Sequence, residues 1–334
     1  MTPSRIRPWW TALNSAPLLL FVAVFLVFGL LSNRFLEPRN LLNILIQCSS
    51  TAIVAIGMTF VLLTAGVDLS VGAIMFVAAA VAGKMTLGGA PLWLAISGIV
   101  LIGLAGGLVN AFFITQLRIV AFIVTLATLY LGRGFALWLT QTRAMNLPED
   151  FLLLGTTRLA GVPVPVVILA GIALVAHLVL SRTPFGRQVY AVGQDLEAAR
   201  KAGINTGCIL VSVYLISGLC AAVGGIVSLA QLGAVSPTFG MNKEFSAIAA
   251  AVLGGTSLFG GRGKVFPGTL LGAVLIQTIE NGLVILNADP YLYPLITSGV
   301  IFLAVMIDSL RTSLLTKCGR RRIRVEEPPT TSHP

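Results

Sequence analysis

Charge is what this chain has least of. Of its 334 residues only 10% are Asp, Glu, Lys or Arg, while 56% are hydrophobic; an ordinary soluble domain carries roughly 25% charged residues. A soluble fold of this length has no way to cover its surface with so few polar groups, so the outer face must meet lipid. Acids are the scarcer sign, 12 against 22 Lys and Arg, for a net charge of +10. The basic residues are scattered between apolar runs and gather in short connecting segments and at the C-terminus. That is the distribution of membrane topology, not of a nucleic-acid face, and no nucleic-acid partner is expected. Histidine is nearly missing: His177 sits in an apolar run and His333 in the tail, which leaves a metal site or a catalytic triad little to work with. The four cysteines, Cys48, Cys208, Cys220 and Cys318, show no paired spacing, so neither disulfides nor zinc are indicated. No metal, no cofactor on this chain and no enzymatic chemistry are the expectations.

What the chain does have is long apolar runs. The charge-free stretches 8–33, 40–67, 85–117, 159–181 and 202–242 each hold a spanning helix of about 20 residues. The shorter stretches 69–83, 119–132, 245–261, 265–279 and 290–307, broken by single charges or Gly-rich turns, bring the expected count to about ten. Arg5 and Arg7 ahead of the run Pro17–Leu31 resemble a signal sequence, but the run is long and further spans follow, so it reads as an uncleaved first helix. The fold class expected is an all-α, multi-pass bundle. It has a cytoplasmic segment 1–16, a transmembrane domain 17–310, and a basic, Pro- and Thr-rich cytoplasmic tail 311–334 with its arginines near anionic lipid. With both termini cytoplasmic, fifteen of the 22 Lys and Arg fall inside, six fall outside and Arg133 lies in a helix. That asymmetry supports the orientation. The longest outside loop, 143–161, with Pro148, Glu149 and Asp150, is the natural external docking surface.

Within the runs, small residues recur four apart, as at Gly103 and Gly107, Ala221 and Gly225, and Gly268 and Gly272; such pairs let helices approach closely in lipid. Segments 52–72 and 247–268 are faintly alike, each a small-residue helix followed by a glycine turn. Gln47, Asn110, Gln277 and Asn281 are polar groups inside apolar runs. They suit either the mixed donors and acceptors that a neutral polyol needs or interhelical hydrogen bonding. Arg133 and Glu280 are candidates for an intramembrane ion pair. Asp68, in the block Gly66-Val67-Asp68-Leu69-Ser70-Val71-Gly72, either caps the helix that begins near Ser70 or takes part in transport. The sequence GGRGKVF near 260–266 is no phosphate loop, because Val265 stands where Ser or Thr is required.

The inside segment 182–207, RTPFGRQVYAVGQDLEAARKAGINTG, is polar and charged between two strongly apolar runs. Glu197, Ala198 and Ala199, then Arg200 and Lys201, make a short Ala-rich helix whose charges suit the helix dipole, and Gly203 ends it. Its E-A-A-x-x-x-G spacing matches the start of the signature by which membrane subunits of ABC importers dock on their ATPase.

Over about residues 40–310 the chain resembles the ribose-type family of sugar ABC transporter permeases. The resemblance rests on the Gly66–Gly72 block, which includes Leu69, and on AFIVTLATLYLGRGF at 121–135. FGRQVYAVG at 185–193 and AIAAAVLGGTSLFGGRGKVFPGTLLGA at 247–273 complete it. Ser246 stands where that family usually has an acid, and Gln194 where it has Asn. The resemblance implies a multi-pass permease of the bacterial inner membrane that imports a pentose- or hexose-type sugar. Its implied partners are a second permease copy or a related permease, a cytoplasmic ATPase that holds ATP and Mg, and a periplasmic sugar-binding protein. A branched-chain amino-acid permease is the alternative, and an ion-coupled secondary transporter a more distant one. Glu280 is the only acid well inside a run, so the intramembrane acids of an ion-coupled carrier are missing.

Overall fold

The computed structural model describes residues 16–289 and, beyond them, 291–293, 295–296, 298–299, 302 and 306. The N-terminal segment, most of the expected last helix and the C-terminal tail lie outside the described residues. Twelve α-helices, connected in places by two-residue strands, make up the described chain. They are α1 Ala16–Leu31, α2 Pro38–Leu63, α3 Val71–Leu87, α4 Leu92–Thr115, α5 Ala121–Thr140, α6 Glu149–Thr156, α7 Val164–Arg182, α8 Pro184–Gln194, α9 Leu196–Lys201, α10 Thr206–Leu232, α11 Lys243–Leu253 and α12 Leu270–Ile285. Six segments among the described residues are long and apolar enough to cross a membrane: α2, α4, α5, α7, α10, and α12 together with its leading turn, Val265–Ile285. Two more apolar helices, α1 and α3, are somewhat shorter.

The bundle is organised around α2 and α10. Pro38 opens α2 at its first turn, where a missing N–H costs nothing. From Cys48 to Leu63 every residue of α2 is buried, as expected of a helix apolar all round. Ala65, with φ 59°, takes the left-handed position that ends it, and Gly66 N–H returns to the Val61 carbonyl. The 27-residue α10 crosses both α2 and α4. Small residues set these crossings. A Cβ on Gly107 would stand 2.5 Å from the Tyr214 carbonyl oxygen, and one on Gly57 would stand 2.7 Å from Cys220 Cβ. The Gly103 and Gly218 backbones meet in the same way, and Gly272 rests on the Ala250 carbonyl where α12 meets α11. With no difference in apolarity between helix and lipid to drive association, such backbone approach is the main source of packing.

Two expected spans differ in the structure. The run 202–242 ends as a helix at Leu232, with Gly233 in the left-handed conformation. The chain then passes through a short strand, Ala234–Val235, that pairs with Met145–Asn146. The span expected over 245–261 is the 11-residue α11. At 1.5 Å per residue it covers roughly half of a 30 Å hydrocarbon core. Lys243, expected in an outside loop, instead lies within the bundle at the start of α11, its Nζ donating to Thr51 Oγ1 in the middle of α2 at 2.8 Å. The cause is the Pro237–Asn242 turn, which folds back into the bundle and brings the first residue of α11 deep inside. There the starts of α3 and α11 abut: a methyl on Gly72 would collide with the Gly240 carbonyl.

In the loop between α5 and α7, α6 packs on the end of α10 with Phe151 buried, while Glu149 and Asp150 are exposed.

Candidate functional site

Three polar features can be built from the residues upward. The first is the segment between α7 and α10. Thr183 accepts the Gly186 amide and caps α8. Asp195 accepts the amides of Glu197 and Ala198, both at 2.9 Å, and caps α9. At the other end Gly203, φ 82°, donates to the Arg200 carbonyl and Ile204 to the Ala199 carbonyl, which closes α9 with two backbone bonds. Of its six residues only Ala199 is buried, so Glu197, Ala198, Arg200 and Lys201 stand exposed on a rigid stub. The Glu197–Arg200 pair, 3.1 Å apart, is too exposed to add much stability. Sequence reasoning singled out Glu197 and Gly203 and passed over Asp195, whose place just before the Ala-rich stretch is an N-cap signal.

Helix α8 ties that stub to the rest. The Tyr190 hydroxyl donates to the Gly263 carbonyl (2.8 Å), Gln194 Nε2 donates to the Gly261 carbonyl (2.9 Å), and the Gly261 amide donates to the Leu63 carbonyl at the end of α2 (2.9 Å). Burial pushes the Tyr190 phenol above its ordinary range, which keeps it a donor. Gly193 lies so close to Leu63 and Gly261 that no side chain fits there. The Gly-rich turn 254–264 is thus gripped by α8, and it is the turn that joins α11 to α12.

The second feature is a cavity of about 610 Å³ lined by Gln47, Asn242, Ser246, Gln277, Glu280 and Asn281, with apolar surface from Phe245, Val284 and Tyr293. The structure brings together three of the four expected polar residues. Gln277 Nε2 donates to Gln47 Oε1 at 3.0 Å, and Asn281 exchanges side-chain bonds with Asn40 at 2.9 and 3.0 Å. The fourth, Asn110, lies elsewhere. It is fully buried, donating to Ser70 Oγ (2.7 Å) and accepting from Thr128 (2.7 Å).

Asn110 belongs to the third feature, a buried hub around Asp68. Asp68 Oδ1 accepts the Ser70 amide (3.0 Å) and hydroxyl (2.6 Å), and Oδ2 accepts Ser217 Oγ of α10 (2.7 Å). The carboxylate therefore binds the residue that precedes α3, and through Ser70, Asn110 and Thr128 it joins α3, α4, α5 and α10. Leu69 is buried beside it, and Gly66 lies against the Tyr214 hydroxyl, where a Cβ would stand 2.8 Å away.

The structure distributes the intramembrane charges differently from the Arg133–Glu280 pairing expected from sequence. Arg133 Nη2 donates to the Gly240 carbonyl at 2.8 Å and lies within Coulombic reach of Glu244. Glu244 is 3% exposed and its Oε2 has no hydrogen-bond partner among the described residues. Glu280 faces Lys243. Two acids were available to Arg133, and the backward turn before α11 presents Glu244 to it.

The chain is 37% identical to the ribose import permease of Haemophilus influenzae over 86% of its length and 92% of that protein. It is 38% identical to the D-allose transport system permease of Escherichia coli over 85% and 88%. To the galactofuranose transporter permease of Escherichia coli it is 34% identical over 96% of each. No solved structure matches it. The family model described as "Branched-chain amino acid transport system / permease component" matches residues 40–310, and the chain belongs to that family of membrane permeases.

Proposed function

We propose that this chain is the transmembrane subunit of an ATP-driven importer that moves a small neutral sugar across the bacterial inner membrane. The observation that carries this reading is the connection from the exposed stub α9, through α8, to the turn 254–264. That turn joins α11 and α12, two of the helices that line the polar cavity. A cytoplasmic ATPase that grips α9 moves α8, and the Gly261 and Gly263 carbonyls carry that displacement to α11 and α12, so the cavity opens to one side or the other. ATP and Mg sit on that partner, and this chain makes and breaks no bond of the sugar.

The remaining parts follow the same reading. About ten helices with both termini cytoplasmic place α9, Arg262 and Lys264 on the ATPase side. The exposed Glu149 and Asp150 on α6 face a periplasmic sugar-binding protein, and a second copy or a related permease completes the membrane part. The sugar branch is favoured over branched-chain amino acids by the relatives, whose names specify ribose, allose and galactofuranose, and by the amide-rich cavity, which offers donors and acceptors together. Purification from native membranes tests the assembly. An ATPase that co-purifies with the chain, and leaves it when α9 is altered, is the expected result. A partner protein that binds leucine or valine more tightly than any pentose or hexose would move the assignment to amino acids.

A further inference from the structure

Among the described residues Glu280 is the one acid in the cavity wall, and its placement is unusual. Lys243, a cation whose charge reaches it, is held back in the bundle by Thr51 and does not line the cavity. Among the described residues no hydrogen bond or ion pair occupies the Glu280 carboxylate, while the neighbouring amides of Gln277 and Asn281, on the same helix, are already oriented by Gln47 and Asn40. The cavity surface thus combines a carboxylate, fixed amides, the Ser246 hydroxyl and the aromatic faces of Phe245 and Tyr293.

We propose that Glu280 determines specificity in the cavity: its two oxygens accept hydroxyls of a neutral polyol, and its negative charge rejects solutes that carry a carboxylate. A carboxylate is an acceptor with two oxygens, suited to two adjacent hydroxyl donors. The same group facing a carboxylate leaves like charges in a confined, partly desolvated space, and Lys243, which donates to Thr51 and lies off the cavity wall, offers an entering carboxylate no contact there. The inference rests on reading the cavity as the sugar's path. It adds a filter within the permease, one that excludes sugar acids even when they reach the cavity.

The test uses the purified full chain in phospholipid nanodiscs, with Cys208 and Cys318 changed to Ser and Ser246→Cys as a reporter in the cavity wall. The rate at which neutral methyl methanethiosulfonate converts this thiol to a methyl disulfide, releasing methanesulfinate, is measured alone, with D-ribose, and with D-ribonate, the matching sugar acid. With Glu280 present, ribose slows labelling and ribonate does not, a difference of about fivefold or more in protection. Glu280→Gln weakens protection by ribose and admits ribonate, while Glu280→Asp, which keeps the charge, still excludes ribonate. Equal protection by the two solutes in the parent, an unchanged ratio in Glu280→Gln, or no protection by either overturns the proposal. ATP-driven uptake by the assembled importer is read separately: uptake that persists when the labelling result fails removes only the role of Glu280, and failed uptake removes the permease reading itself.

Discussion

Changing Asp68 to Ala deletes the centre of a buried hub that joins four helices. Three donors lose their acceptor: the Ser70 amide, the Ser70 hydroxyl and the Ser217 hydroxyl, at 3.0, 2.6 and 2.7 Å. Interhelical hydrogen bonds in membrane proteins average about 0.6 kcal/mol each, whereas bonds to a charged acceptor in a dry interior reach about 1.5–3 kcal/mol. Asp68 is fully buried, but the hydroxyls can turn to backbone carbonyls in the variant, so the loss falls between these limits, about 2–5 kcal/mol. Ser217→Ala, which removes one donor and leaves Ser70 in place, costs about 1 kcal/mol. Thermal unfolding of the purified chain in mild detergent, alongside reversible unfolding in SDS, measures both. A variant Asp68→Ala that unfolds within about 0.5 kcal/mol of the parent yet abolishes uptake would refute the structural role and assign Asp68 to transport.

Other outcomes follow from the same geometry. Arg133 acts on the buried Glu244 through space while donating to Gly240, so Arg133→Gln combined with Glu244→Gln should cost about 1 kcal/mol less than the two singles together, and strictly additive melting shifts would remove the coupling. Asp195→Ala loses the cap of α9, about 1 kcal/mol locally, and should weaken ATPase binding in a co-purification assay with membrane insertion unchanged. Gly203→Ala, strained by its φ of 82°, should act in the same direction, and full ATPase binding in both would sink the docking role of α9. Gly272→Leu, placed against the Ala250 carbonyl, should lower stability by about 1–3 kcal/mol, and an unchanged melting curve would show that α11 and α12 do not pack as described.

Hydropathy made most of the bundle readable. Gly103, Gly107, Gly268 and Gly272 lie at close approaches between elements, because four-residue spacing places small residues on one helix face. The break before α11 was harder. Nothing charged interrupts 202–242, so composition does not say where the helix stops, although Gly233, Pro237, Gly240 and Asn242 form the turn signal that marks it. Missing that break put Lys243 outside and left Glu244 without a role. The cavity was legible as residue types, Gln47, Gln277 and Asn281, since amides in an apolar run are rare enough to be noticed. Asn110 shared that chemistry but not the location, because which polar residues face one another depends on helix rotation, and a single sequence carries no distance between α4 and α12. Asp68 was legible as a turn residue, but its bond to Ser217 spans 149 positions and is a property of packing alone.

The central claim is that ATP hydrolysis on a separate subunit drives sugar through this chain. The most direct measurement is uptake of labelled D-ribose, D-allose or another sugar bound by the co-purified binding protein, in proteoliposomes that hold the complex isolated from native membranes. Uptake should require internal ATP and the binding protein, and should fall with Asp195→Ala. Sugar uptake by this chain alone, driven by an ion gradient without the ATPase, would contradict the account.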